Sequence, residues 1–232
     1  MWIKSSDQAR ERGITGLETA IILIAFVVVA SVFAFTVLST GIFASERSKE
    51  TVFSGIQEAQ STLEPRGSVV AFKGVLSDST TTVYKLTFVV SNAIAGEPVD
   101  LTPDFTADDS GTDPDVSAGA NSVTVISYSD KNQFLNDLPW SVSWLGNNDG
   151  DNLLENNEKA EITVWLLNRE NGTAIGTAGS VAFQTTEGGM TSSSTVLATG
   201  DQFTIQIHPP NGAVLNIRRS LPPQLDTVMD LN

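Results

Sequence analysis

Gly16-Leu17-Glu18-Thr19-Ala20-Ile21-Ile22-Leu23-Ile24-Ala25-Phe26-Val27-Val28-Val29-Ala30 opens a run in which no charged residue stands between Glu18 and Glu46. An apolar run of that length crosses a bilayer core as a helix. Two features separate it from an ordinary anchor or secretory signal. A secretory signal keeps its charge before the apolar segment and is cut after it. Here Arg10 and Arg12 lead to Gly13, so the small residue and the natural break lie before the run. Glu18 follows five residues later, at the mouth of the segment, where a carboxylate is costly in lipid and marks function by default.

The helical pattern continues past the apolar run. Val52, Ile56, Ala59 and Leu63 recur at helical spacing among Glu46, Arg47, Lys49, Glu50 and Glu58, the signature of an amphipathic rod. Pro65-Arg66-Gly67 supplies the expected stop. From Ile14 to Leu63 the rod is about 75 Å long at about 1.5 Å per residue, far more than a membrane requires. Ala20, Ala25, Ala30, Ser31, Ala34 and Gly41 interrupt its bulky residues, and Ala30 with Ala34 forms the small-xxx-small step that lets helices approach closely. Glu18 also fits a plainer role, since Thr15-Gly16-Leu17-Glu18 matches a capping box.

These residues resemble the prepilin-type (class III) signal and helix of the archaellin, or archaeal flagellin, family. The match is specific across 12 to about 63 and general beyond. The resemblance implies removal of a leader, residues 1–13, by a membrane aspartic prepilin peptidase cutting between Gly13 and Ile14. Glu11 takes one of the two places where such signals usually carry adjacent basic residues. The resemblance also implies a polymerisation helix over 14–65, with Glu18, Ala30, Ala34 and Gly41 in assembly contacts. The precursor would sit in the cell membrane and be exported by an assembly ATPase and a membrane platform. Its product would be a self-assembled extracellular filament, turned for swimming. A type IV adhesion pilin shares the leader and a related helix and is the main alternative. A tethered ectodomain that retains Met1 is a third.

Charge and composition narrow the remainder. The formal net charge is −14, and 67–232 hold seven Lys/Arg against twenty Asp/Glu. Such a surface repels phosphate backbones, which argues against nucleic acid as a partner. Cysteine is absent, which removes disulfides and thiol chemistry. The sole histidine, His208, precedes two prolines and reads as a turn residue. With no second histidine and no phosphate-binding loop, no enzyme is expected.

Short alternating runs predict strands at 68–76, 81–90, 122–128, 140–145, 160–167, 181–184, 203–207 and 213–217. They point to an α+β chain, a long N-terminal helix followed by an all-β sandwich over 68–232; the family resemblance implies an immunoglobulin-like form. His208-Pro209-Pro210-Asn211-Gly212 reads as a turn in which Asn-Gly takes positive φ angles. Residues 102–121 and 185–200, rich in Asp, Ser, Thr and Gly, are expected as long surface loops. Asn147, Asp149 and Asp151, with Glu155 and Glu158 downstream, present alternating oxygens on a glycine-containing loop. They read either as a site for calcium or a similar hard cation or as a solvated acidic turn, and the spacing is not that of an EF-hand. Asn171-Gly172-Thr173 is an N-glycosylation sequon and equally a hairpin turn.

Overall fold

The computed structural model describes residues 7–60, 62–94, 96–117, 121–184 and 188–231; for 7–15 and 57–60 it describes the backbone alone. The chain divides into two compact units, 1–54 and 55–232.

The first unit is helical. Helix α1, Asp7–Gln60, is continuous over 54 residues. It contains no proline, and Gly16, Gly41 and Gly55 sit in open space where an added Cβ would meet nothing within 4 Å. Thr15 lies in the helix interior rather than at its start. The capping box therefore cannot form in the uncut chain, because an N-cap residue must stand outside the helix. The distal end also differs from expectation. The helix stops at Gln60, and Leu63 opens a strand in which Pro65 and Gly67 are embedded. Leu63 faces Asn92 across the sheet at 3% exposure. Burial in a β core outweighs the helical spacing that links Leu63 to Ala59.

Beyond α1 the described residues form sixteen strands: β1 Leu63–Val75, β2 Thr81–Asn92, β3 Val99–Asp100, β4 Phe105–Thr106, β5 Thr112–Asp113, β6 Asp115–Val116, β7 Val125–Asp130, β8 Phe134–Leu135, β9 Trp140–Trp144, β10 Leu153–Leu154, β11 Ala160–Trp165, β12 Asn168–Glu170, β13 Val181–Ala182, β14 Gln202–His208, β15 Leu215–Ser220 and β16 Val228–Leu231. The largest sheet runs β16-β1-β2-β11-β9 and the next β15-β14-β7-β8, with every pairing antiparallel. Three smaller sheets, β13-β12-β5, β10-β3 and β4-β6, are built from the connections.

The two larger sheets share one core, in which Leu86, Ile162, Val164 and Trp140 of the first join Ile126, Tyr128, Phe203, Ile205 and Ile217 of the second. Strand β14 shows the alternation its sequence predicts, with Phe203, Ile205 and Ile207 inward. Strand β2 does not, since both of its faces are covered along most of its length; a central strand loses the polar face that makes alternation visible.

Several segments expected to be loops carry structure. Within 102–121 lie β4, β5 and β6, and Asp113 is 1% exposed. Within 185–200, Met190 and Leu197 are fully buried. The Met190 N–H donates to the Leu166 carbonyl, and the Thr82 hydroxyl to the Leu197 carbonyl. Residues 118–120 and 185–187 lie outside the described residues. The expected Asn-Gly turn is a wider loop between β14 and β15, with Gly212 at φ +98 and Asn211 not among the left-handed residues. His208 ends β14 rather than forming the turn, and its Nε2 is 3.3 Å from the Ser127 hydroxyl.

Candidate assembly surface

Every described side chain from 16 to 56 is exposed. This 41-residue stretch is long and apolar enough to cross a membrane, and the chain itself buries none of its most apolar window. Phe26, Phe33 and Phe35 stand 74%, 69% and 71% exposed. A helix that is apolar all round requires a surrounding of lipid or protein. Three hydroxyls within the apolar run place no competing demand. Ser31 donates to the Val27 carbonyl, Thr36 to Phe33 and Thr40 to Thr36, all within the helix. Hydroxyls satisfied in this way carry little cost out of water.

The expected assembly residues are distributed along this surface. Glu18 and Ala30 are exposed. Ala34 and Gly41, seven residues apart and so on one face, floor a hollow rimmed by Phe33, Val37, Leu38 and Ile42. Gly13 and Ile14 lie in the continuous helical backbone; their side chains fall outside the described residues. Toward the end of the run Arg47 lies over the Phe43 ring at 5.7 Å from its centroid.

In the second unit the oxygen-rich loop turns its side chains onto its own backbone. Asn148 accepts from the Gly150 N–H, Asp149 from Asp151, and Asp151 from Leu153. Glu158, 6% exposed, accepts from the Glu155 N–H. Asn147, Asp149, Asp151 and Glu155 are exposed. Among the described residues, the acids whose oxygens converge within 4.8 Å are Asp108, Asp113 and Asp115. Their signal, Asp108-Asp109 followed by Asp113-Pro114-Asp115, lay in a stretch read only as a loop.

The sequon residue Asn171 is half-buried and its Nδ2 donates to Asp113 Oδ2 at 2.6 Å and to the Ser110 carbonyl at 3.2 Å. Elsewhere the Lys85 ammonium lies 4.8 Å from the centroids of both Phe72 and Trp165. Burial lowers its pKa. These aromatics pin β1, β2 and β11 together, since Lys85 is opposite Phe72 on one side and Trp165 on the other.

Comparison with known proteins places these features. A model of archaeal-type flagellin matches residues 13–219. Probable flagellin 1 of Archaeoglobus fulgidus is 34% identical over 227 residues, covering 95% of each chain. Probable flagellin 1 of Aeropyrum pernix is 30% identical over 226 residues, covering 94% of this chain and 96% of its own. Among solved structures, the archaeal flagellum of Methanospirillum hungatei strain JF1 has a similar fold, with a TM-score of 0.55 at 22% identity over 93% of this chain and 98% of that one.

Proposed function

The chain belongs to the archaeal-type flagellin family and is a structural, non-enzymatic subunit of the archaellum filament at the cell surface; we propose that it is made as a membrane precursor, cut between Gly13 and Ile14, and polymerised through α1. The observation that carries this reading is the exposure of every described side chain of α1 from 16 to 56, apolar ones included. Burying its apolar side chains is worth on the order of tens of kcal/mol in total, at about 1.5 to 3 kcal/mol per large side chain. Lipid supplies that burial before assembly and neighbouring copies of α1 supply it afterwards.

Processing by a prepilin peptidase frees the amino group of Ile14 one helical turn from Glu18, where the two charges offset each other. The family match begins at residue 13, which supports treating 1–13 as a separable leader. Ala30, Ala34 and Gly41 supply the close approach, and the β unit forms the outer wall. Lipid tails are as apolar as leucine, so transfer from membrane to filament gains little hydrophobic energy. An assembly ATPase on a membrane platform therefore drives extraction, and rotation of the filament serves swimming.

The test is the mass and N-terminus of protein sheared from cells, with the same fraction imaged by electron microscopy. Chains that start at Ile14 in thin uniform filaments are expected. Retention of the first residues with no filaments would show that the helix is only an anchor. Deleting the gene separates swimming from attachment: loss of attachment with swimming intact would assign the chain to an adhesion pilus.

A further inference from the structure

We propose that Asn171 is a closed sequon: in the folded chain its amide clamps the buried Asp113 carboxylate, and a glycan can reach Asn171 only before 108–113 folds against it. The inference does not depend on the filament reading.

Asp113 is 1% exposed. Its Oδ1 accepts from the Asp108 N–H at 3.1 Å, and its Oδ2 accepts from Asn171 Nδ2 at 2.6 Å. Strands β12 and β5 place Arg169 directly opposite Asp113. The Arg169 guanidinium is nonetheless committed to the carbonyls of Glu170, Ser180 and Thr173. Among the described residues no cation forms an ion pair with Asp113, so its charge is held by neutral donors, of which Asn171 supplies the short side-chain bond.

The clamp is fastened on both sides. The second Nδ2 proton goes to the Ser110 carbonyl at 3.2 Å, and the Asn171 backbone N–H donates to the Gly111 carbonyl at 2.9 Å. Next to it the Thr112 hydroxyl reaches the Glu170 carboxylate at 3.4 Å. Both hydrogens of the acceptor amide are therefore in use, and the residue lies against 110–113.

Glycosyl transfer makes a bond from Nδ2 to the sugar C1. The C1–O bond to the lipid phosphate carrier breaks, its electron pair leaves with the phosphate, and a proton departs from Nδ2. Nδ2 must turn out toward the transferase and give up at least one hydrogen. In the closed chain that means releasing a hydrogen bond to a buried carboxylate or opening 108–113. Modification at Asn171 and closure of this segment thus oppose each other, and the fold shown here is that of the unmodified residue.

The experiment offers an archaeal oligosaccharyltransferase and a lipid-phosphate-linked oligosaccharide two acceptors: the folded full chain in detergent and a synthetic peptide spanning 165–179. The peptide is expected to be modified, and the folded chain on the order of tenfold or more slowly. Asp113→Ala, with its near-ultraviolet circular dichroism retained, is expected to approach the peptide's rate. Equal rates for wild type and peptide overturn the proposal. Refusal of both also overturns it, because the fold would not be what closes the site. An Asp113→Ala chain as slow as wild type removes Asp113 as the lock. If that variant does not fold, Asn171→Ala decides through its melting temperature: a clear drop supports the clamp, and an unchanged value overturns it.

Discussion

Gly41→Leu separates the requirements of the subunit from those of the filament. In the isolated chain an added Cβ at Gly41 meets nothing within 4 Å, so the new side chain creates no clash. Leucine is also a better helix former than glycine, by about 0.8 kcal/mol in a helix interior. The variant subunit should therefore insert, be cut and keep its β unit with an unchanged melting temperature. The hollow floored by Ala34 and Gly41 and rimmed by Phe33, Val37, Leu38 and Ile42 is lost.

If a neighbouring helix packs there, forcing four extra carbons into the contact costs about 1 to 3 kcal/mol per subunit. At about 1.4 kcal/mol per decade, each addition step weakens by about 5- to 150-fold. A polymer repeats that loss at every step. The assay is the yield and length of sheared filaments by electron microscopy, together with the heat resistance of whatever filaments form. Gly41→Ala, which adds one carbon, serves as the graded control and should lie between wild type and Gly41→Leu. Wild-type filaments from Gly41→Leu would refute the assignment of this face to a helix contact, whatever the behaviour of the subunit.

Gly13→Val should leave 1–13 attached and abolish filaments, read by N-terminal sequencing of the membrane fraction; filaments containing the uncut chain would count against processing as a prerequisite. Leu231→Ala removes a 3% exposed side chain from β16 and should destabilise the β unit by about 2 to 5 kcal/mol, measured by denaturant unfolding; an unchanged midpoint would mean that β16 adds nothing to the fold. The bond from Lys131 Nζ to Asp201 Oδ1, at 2.5 Å, is the main cause holding the Asp201 pKa below its ordinary value. The sign follows: a depressed carboxylate pKa contributes stability that is present above the ordinary value of about 3.9 and is lost as pH falls through the lowered one. Lys131→Met should therefore be less stable than wild type near neutrality, and the gap should close in acid; a gap that persists at low pH would remove the ion pair as its cause.

The helix was legible because an uncharged run of that length admits few alternatives, and the strands β1, β2, β9, β11 and β14 because β-branched and aromatic residues cluster there. What escaped was decided by distant partners. Leu63 looked like the next turn of a rod until β2 and the core claimed it. Met190 stands alone and Leu197 has only Val196 and Ala198 beside it in a Thr/Ser-rich stretch, too sparse for any period, yet each fills the core. Strand β16 had a local signal, Val228-Met229-Asp230-Leu231 alternating out and in, but four residues after a proline-containing segment carry little weight until β1 is known to have a free edge. Of the residues proposed for assembly, Ala34 and Gly41 stand out in the sequence as small residues, but the hollow they line does not. Asp113 was invisible as a site because polar residues in a loop-like composition read as solvated, and only its pairing with Arg169 and Asn171 shows it to be buried.

On the route proposed above, from membrane precursor to filament, the same surface of α1 meets two surroundings in succession, which limits what can favour the second. Ser31, Thr36 and Thr40 satisfy their hydroxyls on their own helix, so moving from lipid into a bundle neither gains nor loses those hydrogen bonds. The apolar side chains are equally at ease in both. Two kinds of feature remain that distinguish a neighbouring helix from lipid. One is shape: a hollow such as that at Ala34 and Gly41 can be filled more densely by a fixed side chain than by a mobile acyl chain. The other is Glu18, a charge that an apolar surrounding tolerates poorly and that a cation held nearby offsets. Both are local and modest in size, so on that route a membrane precursor would stay free to move. Once extracted, it would face water as the only remaining alternative, and there the whole exposed length of the helix would oppose release.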